Sequence, residues 1–158
     1  MTIAVRRTVA ADAVMLARLL SDMQAHYRSP DPPGGALAMA RLLTRDGERI
    51  PFALIAEHAG RPAGLATLNP LLFGGAFQWL LFLKDLYVVP DARSLKVGQA
   101  MMGEIARIGL AGNYARVEWT TDGTNTGAQR FYDRLGVPRP DKVNYRLAGD
   151  DLTRLARL

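Results

Sequence analysis

The sequence contains no cysteine, which excludes disulfides, thiolate nucleophiles and cysteine-ligated zinc. Its two histidines, His26 and His58, stand in no motif with the spacing of metal ligands, so we expect surface or boundary residues and no metal site. No stretch approaches the roughly 20 apolar residues of a membrane span, and the first charges follow too short an apolar run for a signal peptide. We therefore expect a cytoplasmic protein that binds no metal and enters no membrane.

Long runs of like charge are also missing. Lysine and arginine outnumber aspartate and glutamate by 20 to 15, which gives a net charge of +5, but the cations are scattered. This excess is compatible with an anionic ligand such as a nucleotide cofactor, and it fits an ordinary solvated surface equally well. There is no helix-turn-helix spacing and no aromatic RNA-binding motif, so nucleic acid is not an expected partner. The length predicts a single domain over residues 1–158.

Apolar periodicity and turn signals predict the element order β-α-α-β-β-β-α-β-α-β, which is typical of one α/β domain with a mixed sheet. The strands are expected at Thr2–Thr8, Phe52–Glu57, Ala63–Leu71, Ala76–Val89, Arg116–Thr121 and Val143–Leu147. The helices are expected from Asp12 to the break at Ser29–Gly35, and at Ala36–Arg45, Val97–Ala111 and Asn125–Leu135. The apolar stripe of the first helix comprises Val14, Leu16, Leu19, Leu20 and Met23. Gly74 and Gly75 mark a turn before the long apolar strand.

The segment after that long strand carries the clearest chemical signal. The strand ends at Pro90, a short loop contributes Arg93 and Lys96, and a helix opens near Val97–Gly98. Free backbone N–H groups and the dipole at a helix N-terminus favour an anion, and Gly98 permits close approach of a phosphate. The pattern is neither a Walker loop nor a dinucleotide fingerprint. It suits a pyrophosphate, and by itself it also fits a plain strand–helix connection.

A second constellation lies on the helix predicted at Asn125–Leu135. Asn125, Ala128, Gln129 and Tyr132 fall at i, i+3, i+4 and i+7, so they share one face. Ala128 leaves room for a ligand along the helix, and Tyr132 is suited to protonating a leaving group. The alternative is that Asn125 caps the helix and Tyr132 packs against it.

In this order, the two segments resemble the GNAT superfamily of N-acetyltransferases. The family's cofactor motif, Q/R-x-x-G-x-G/A after a strand ending in L-x-V-x-P, is matched by Leu86–Pro90 and Arg93–Gly98. The later family motif, N-x-x-A-x-x-F-Y-x-x-x-G, is matched by Asn125, Ala128, Phe131, Tyr132 and Gly136. More loosely, the stretches 82–88 and 119–125 look like the fungal histone/polyamine and diamine acetyltransferases.

The resemblance implies an α/β (α+β) fold with a single GNAT-like domain. Its mixed central sheet would splay between the two central parallel strands and carry helices on both faces. It also implies acetyl-CoA as co-substrate, with no metal. The contacts to acetyl-CoA that the resemblance implies are Tyr87, Val88, Val89, Arg93, Ser94, Lys96, Val97, Gly98, Gln99, Ala100, Asn125, Ala128 and Tyr132.

For the reaction, the resemblance implies direct attack of a primary amine on the thioester. The N–H of Val88 would polarise the carbonyl, Tyr132 would protonate the thiolate, and Asp85 or Glu118 would act as base. Simple pairing of these two carboxylates with neighbouring cations is the alternative. The acceptor would be a small amine, a polyamine or a protein lysine, and a non-catalytic acyl-CoA sensor is the alternative function. The apolar final strand and the leucine-rich tail make a homodimer the expected assembly.

Two positions depart from the family pattern. Lys96 stands where the first glycine of the cofactor motif is usual. Three interpretations of this lysine are open: a negative φ that makes it tolerable, a contact of its ammonium with a cofactor phosphate, or weakened cofactor binding. Lys84 stands where the diamine enzymes are thought to have an acid, which puts both the base and a diamine acceptor in question.

Overall fold

The structure is a computed structural model that describes residues 2–72 and 75–158 in two compact units, 1–120 and 121–158. The strands of the first unit are β1 (Ile3–Arg7), β2 (Phe52–His58), β3 (Arg61–Leu72), β4 (Trp79–Val88) and β5 (Val117–Glu118). Its helices are α1 (Ala13–His26), α2 (Gly35–Leu43) and α3 (Val97–Ala111). The second unit contains α4 (Thr126–Arg134) and α5 (Asp150–Leu155).

The five strands form one mixed sheet in the order β1-β2-β3-β4-β5. Neighbours from β1 to β4 run antiparallel, as expected for strands joined by short connections. The last pair, β4 and β5, is parallel because α3 provides the crossover between them. The predicted mixed sheet and the edge position of β1 are both confirmed.

Helices cover both faces of this sheet. On one face, α3 buries Val97, Met101 and Ile105 against alternate side chains of β2, β3 and β4. On the other face, α1 and α2 pack on the intervening side chains, among them Ile55 and Leu65. The strands therefore read as continuous apolar runs, since each successive side chain meets one helical layer or the other. Burying one such side chain contributes about 1.5–3 kcal/mol to folding.

The apolar stripe predicted for α1 is correct except at its first position. Leu16, Leu19, Leu20 and Met23 are buried under the sheet, whereas Val14 is 60% exposed. Leu16 and Val14 are two positions apart, which separates them by about 200° around a helix. Val14 therefore lies away from the face that the other four residues share.

The two strands of the parallel pair, β4 and β5, are shorter than predicted. The strand expected from Ala76 begins at Trp79, because Gly75–Phe77 forms a 3₁₀ turn in which Ala76 has a φ of 53°. Gly74, part of the predicted turn, lies outside the described residues. The strand expected over 116–121 is limited to Val117–Glu118. The remaining strand and helix predictions in residues 2–72 and 97–111 agree with the structure to within about three residues.

The predicted last strand, Val143–Leu147, is wrong. Residues 137–148 form neither helix nor strand, and the apolar side chains of Val143 and Tyr145 are 76% and 90% exposed. Alternating apolar residues are a strand signal only if a neighbouring strand takes up the backbone hydrogen bonds. The chain instead ends in the helix α5, so the observed order closes with two helices.

An ion pair fixes the start of the fold at the opposite edge of the sheet from β5. Arg6 of β1 donates two hydrogen bonds to the buried carboxylate of Asp12, at 2.7 and 2.9 Å, and one to Glu57 at 3.3 Å. Asp12 also accepts the backbone N–H of Val9 at 2.8 Å. The hydrogen bond from Arg6 holds the pKa of the Asp12 carboxyl below its ordinary value of 3.8, although burial opposes this shift.

Candidate functional site

The backbone of β4 changes its neighbours along its length. Near its start β4 lies between β3 and β5, with Leu81 paired to Val117 and Phe82 paired to Glu118. From Leu83 to Val88, only β3 pairs with it among the described residues. The expected splay between the two parallel strands is thus present, and it opens beyond Phe82.

The direction of the backbone groups along this open part follows from the strand register. The N–H of Val89 donates to Ala63 of β3 at 3.0 Å, and Val88 lies opposite Gly64. Backbone groups alternate between the two sides of a strand, so the N–H of Val88 points away from β3. It lies on the side of β4 that β5 has left, which is the position predicted for an N–H that polarises a carbonyl.

A β-bulge in β4 determines where its polar side chains face. Leu83 pairs with Leu68 and Asp85 with Thr67, so Lys84 is an extra residue on the β4 side. Leu83 then packs toward α3, whereas Tyr87, two positions after Asp85, packs toward α1. Because side chains alternate, Asp85 shares the α1–α2 face with Tyr87. Lys84 is exposed.

The two carboxylates predicted as candidate bases have different partners. Asp85 is half-buried, and its Oδ2 accepts the hydroxyl of Thr67 at 2.5 Å. Across residues 2–72 and 75–158, no lysine or arginine forms an ion pair with Asp85. Glu118, by contrast, accepts the Nε–H of Arg116 at 2.7 Å. The expected alternative of pairing with a neighbouring cation therefore describes Glu118 and not Asp85.

The start of α3 presents a set of backbone donors. Ala100 is the first helical residue whose N–H is satisfied within the helix, by the carbonyl of Lys96 at 3.0 Å. The N–H groups of Val97, Gly98 and Gln99 precede it and find no backbone acceptor in the described part of the chain. Three of the four predicted backbone donors are therefore available to an anion, while that of Ala100 is engaged.

The φ angle of Lys96 contradicts one of the three interpretations given above. Lys96 is the N-cap residue of α3, with φ 62° and ψ 20°, so the suggestion of a negative φ is wrong. This left-handed conformation costs a side chain with a Cβ about 1–2 kcal/mol, a penalty that glycine does not incur. The geometry thus explains why glycine is usual here, and leaves a phosphate contact or weakened binding as the two interpretations of the lysine.

Arg93 and Ser94 lie in the exposed turn before Lys96. The guanidinium of Arg93 is turned back toward the sheet, where Nε donates to the carbonyl of Val88 at 3.2 Å. Its Nη2 lies 3.4 Å from Nδ1 of His26, at the end of α1. Arg93 was predicted to add charge for a phosphate; in this structure it also ties the end of β4 to α1. His26 is exposed, as predicted.

Tyr87 contributes its backbone to the site and its side chain to the core. Its ring is 5% exposed and lies 5.8 Å from the ring of His26. Burial raises the pKa of the Tyr87 hydroxyl, the negative charge of Asp22 raises it further, and Arg93 partly opposes the shift. The phenol is therefore neutral at physiological pH and acts as a packing residue with a polar end.

The helix α4 places the second predicted constellation in the unit 121–158. Asn125 is the N-cap residue, and its side-chain oxygen accepts the N–H of Ala128 at 3.1 Å. Asn125, Ala128 and Tyr132 are all half-buried on one face of α4, and the ring of Tyr132 lies 5.1 Å from that of Phe131. The capping role considered for Asn125 is confirmed, and the shared face is as predicted.

Two features of the described residues concern metals and membranes. Within residues 2–72 and 75–158, no group of three or more histidine, aspartate or glutamate side chains is arranged to hold a metal ion. In the same residues, no helix is both long and apolar enough to cross a membrane.

Sequence reasoning missed Thr67, the hydrogen-bond partner of Asp85. Within the run of apolar residues on β3, a threonine resembles any other β-branched strand residue. The bulge at Lys84 sets the register that brings Thr67 opposite Asp85, and the apolar pattern of β4 does not reveal it.

Comparisons with known proteins agree with the sequence motifs and the fold. A family model described as the acetyltransferase (GNAT) family matches residues 16–137. An uncharacterised N-acetyltransferase of Bacillus subtilis (strain 168), YhfO, is 25% identical over 132 residues, which are 84% of this chain and 87% of that protein.

Solved structures show the same fold. An integron cassette protein from the mobile metagenome of V. cholerae superimposes with a TM-score of 0.81 at 23% identity, covering 100% of this chain and 99% of that one. An aminoglycoside acetyltransferase from an uncultured soil metagenomic sample, in complex with trehalose, gives 0.77 at 15% identity, covering 93% and 95%. The family match extends from within α1 to just past α4, most of the chain, and the protein therefore belongs to the GNAT family of acetyltransferases.

Proposed function

We propose that the protein moves an acetyl group from acetyl-CoA to a primary amine by direct attack in a ternary complex. Acyl transfer to an amine is the activity of its family, and the mechanism is what we add. The observation that carries the proposal is the open side of β4 beyond Phe82, which leads directly to the free N–H groups at the start of α3.

Acetyl-CoA supplies the acetyl group as a thioester at the end of an amide-containing arm that continues to a pyrophosphate. The residues present fit such a molecule. In the proposed complex, Val97, Gly98 and Gln99 donate their N–H groups to the pyrophosphate, with Lys96 nearby. The backbone of residues 87–89 binds the amide arm as an added strand would. The family motif on α4 implies further contacts to acetyl-CoA from Asn125, Ala128 and Tyr132.

In the proposed reaction, the nitrogen lone pair of the amine attacks the thioester carbon. The N–H of Val88 donates to the carbonyl oxygen, where negative charge develops. The carbon–sulfur bond then breaks, and Tyr132 gives its proton to the departing thiolate. The proton lost by the amine passes to a carboxylate, so charge and protons balance.

We assign the role of base to Asp85 in preference to Glu118. Glu118 is already engaged by Arg116, whose Nε–H donates to its Oε1 at 2.7 Å. Asp85 has no cationic partner in the described ranges and lies on β4 three residues beyond Phe82, within the open part of the strand.

The acceptor is proposed to be a small molecule with one amino group. Lys84 next to Asp85, together with the net charge of +5, disfavours a polycationic substrate. One structural neighbour is an aminoglycoside acetyltransferase, a likeness that extends only to the fold and does not select the number of amino groups. A cytoplasmic location and a homodimer are also proposed; the leucine-rich tail supports the dimer, whereas the final strand that was expected to support it is not formed.

The second candidate function is an acyl-CoA sensor without turnover, and Lys96 is the observation that favours it. Lys96 has a left-handed backbone conformation at the start of α3, which is strained for a residue with a Cβ. We expect such a residue to be less favourable than glycine for the cofactor turnover of an enzyme. The two functions are separated by titrating the protein with acetyl-CoA in a thermal-shift assay and then measuring thiol release over a panel of amines. We expect both binding and turnover. Binding without release of thiol from any amine would favour the sensor.

The substitution Tyr132→Phe tests the proposed acid. We expect turnover to fall roughly 100-fold, because the proton donor is lost. The affinity for acetyl-CoA should stay within about 2-fold, because the ring is retained. Tyr145→Phe, an exposed tyrosine outside α4, is the matched control. Wild-type turnover in Tyr132→Phe would remove this residue from the mechanism.

A further inference from the structure

The carboxylate of Asp85 is held by a neighbour that the mechanism above does not use. Thr67 lies directly opposite Asp85 across the β3–β4 pair, and its Oγ1 donates to Oδ2 of Asp85. Thr67 is 4% exposed, on the α1–α2 face of the sheet. Because a threonine side chain on a strand has few allowed χ1 rotamers, the hydroxyl is fixed in place.

This contact leaves the two carboxylate oxygens unequal. Oδ2 accepts a buried hydroxyl, and Oδ1 has no hydrogen-bond partner recorded in the described residues. A hydroxyl that donates to a carboxylate favours the ionised form and restricts its rotation. Asp85 therefore has one oxygen held by Thr67 and one oxygen free to accept a proton.

The position of Asp85 on the sheet indicates from which face a substrate amine can approach its free Oδ1. The start of α3, with its free N–H groups, packs on one face of the sheet through Val97. Asp85, Thr67 and Tyr87 lie on the opposite face, beneath α1 and α2. Both faces meet at the open side of β4, so a carboxylate on the α1–α2 face can reach an amine that comes from that side.

We propose that Thr67 is a positioning residue for acetyl transfer, which holds Asp85 so that Oδ1 meets an amine arriving from the α1–α2 face. This rests on the proposed function and specifies how its base works. As the amine nitrogen bonds to the thioester carbon, the proton that it loses moves to Oδ1, and the carbon–sulfur bond breaks with Tyr132 protonating the sulfur as described above. The bulge at Lys84 has a defined role in this arrangement, because it places Asp85 opposite Thr67.

The test compares Thr67→Val, which removes the donor at nearly constant shape, with Thr67→Ser, which keeps it. We expect kcat for the amine to fall roughly 10-fold in Thr67→Val, as for the loss of one hydrogen bond to a charged group. The Kd of acetyl-CoA should not change, and Thr67→Ser should recover most of kcat. The acid side of the kcat/KM–pH profile should move in Thr67→Val and return in Thr67→Ser.

Thr44→Val is the matched control for the loss of a buried hydroxyl. Thr44 is 5% exposed and its Oγ1 donates to the carbonyl of Arg41, away from β4. This variant should lose stability without a change in kcat or in the pH profile. A loss of kcat equal to that in Thr67→Val would show that any buried hydroxyl has the same effect, and would overturn the proposal.

A double-mutant cycle with Asp85→Asn separates positioning from structure. Asp85→Asn alone should lower kcat by roughly 100-fold or more. Adding Thr67→Val to it should lower kcat no further, because the group to be positioned is gone. Two independent, additive losses would overturn the proposal and leave Thr67 as a residue of the fold.

The cycle also distinguishes the failure of this inference from that of the proposed function. If Asp85→Asn abolishes turnover and Thr67→Val leaves kcat and the pH profile unchanged, only the role of Thr67 is wrong. If Asp85→Asn keeps full turnover, the assignment of the base is wrong and the role of Thr67 falls with it. If the wild-type protein acetylates no amine, both are overturned.

Discussion

The first and second halves of β4 differ in their neighbours. Between Trp79 and Phe82 the strand is held on both sides. It pairs with β5, and the N–H of Leu81 donates to the carbonyl of Arg116, the residue before β5, at 3.0 Å. Between Leu83 and Val88 it is held by β3 alone within the described residues. Each half also buries side chains in the core, Leu80 and Leu81 in the first and Leu83 and Tyr87 in the second, so the main difference lies in the backbone.

This difference indicates how a strand can serve stability and binding together. The side chains of the second half still pack against α1 and α3, and this packing keeps the half rigid without a second strand neighbour. On its open side the N–H of Val88 stays available to a ligand that hydrogen-bonds like a strand, while the Val88 carbonyl accepts Nε of Arg93. The first half should therefore respond to substitution through stability, and the second through binding and turnover.

The largest expected effect is at Leu81, in the first half. Leu81 is fully buried between β3 and β5, so Leu81→Ala should lower the free energy of unfolding by about 2–5 kcal/mol. The acetyl-CoA affinity of the folded fraction should not change, because the open half is untouched. Leu110→Ala, at a position that is 84% exposed, is the control for denaturant unfolding. A large loss of affinity in Leu81→Ala would contradict the separation of the two halves.

Asp12, at the opposite edge of the sheet, tests stability far from β4. Asp12→Asn leaves Arg6 without its main partner and should cost about 1–3 kcal/mol at pH 7. Because the pKa of Asp12 is lowered on folding, its contribution is present at pH values above the ordinary 3.8 and disappears as the pH falls below it. The difference between wild type and variant in urea unfolding should therefore shrink between pH 5 and roughly pH 2. A difference that stays constant with pH, or that also appears in the exposed control Asp31→Asn, would contradict this account.

Gly64 of β3 lies opposite Val88, so a side chain at this position would disturb both the packing of β3 on β4 and the second half of β4. A Cβ at Gly64 would lie 2.6 Å from the carbonyl oxygen of Tyr87 and 3.3 Å from Sδ of Met101. Gly64→Ala should therefore push β4 aside, lower stability by about 1–3 kcal/mol and weaken acetyl-CoA binding as well. Gly123→Ala, where no atom lies within 4 Å, is the control for calorimetric titration. A stability loss without any loss of affinity would mean that Val88 is not part of the binding edge.

The smallest expected effect is at Lys96, and it has opposite signs for stability and binding. Lys96→Gly should raise the free energy of unfolding by about 0.5–1 kcal/mol, because the left-handed backbone is no longer strained. Removing the ammonium should weaken acetyl-CoA binding about 2- to 5-fold. Lys96→Ala separates the two causes, since it removes the charge and keeps the strain. Unchanged or tighter binding in both variants would exclude a phosphate contact.

The sequence predicted the elements whose signals are local. The spacing of Val97, Met101 and Ile105 is sufficient for α3, and the apolar runs of β2 and β3 are sufficient for two buried strands. The motifs after β4 and at the start of α4 were informative because a helix start and a capping residue each depend on neighbouring residues only.

The predictions that failed concern features that depend on residues distant in sequence or on the sign of a backbone φ angle. Val143–Leu147 alternates like a strand, but whether it becomes one depends on a neighbour that its own residues do not specify. The positive φ of Lys96 is invisible because the residue that usually signals it, glycine, is replaced. The pairing of Thr67 with Asp85 depends on a bulge, which changes register without changing composition.

The central claim is that the open half of β4 binds the acetyl-CoA arm through its backbone. Hydrogen exchange of backbone amides, followed by NMR with and without saturating acetyl-CoA, tests this at single residues. The Val88 amide should exchange roughly 10-fold or more slowly in the complex. The Val89 amide, already bonded to Ala63, should change little. An unchanged Val88 amide in the saturated complex would contradict the account.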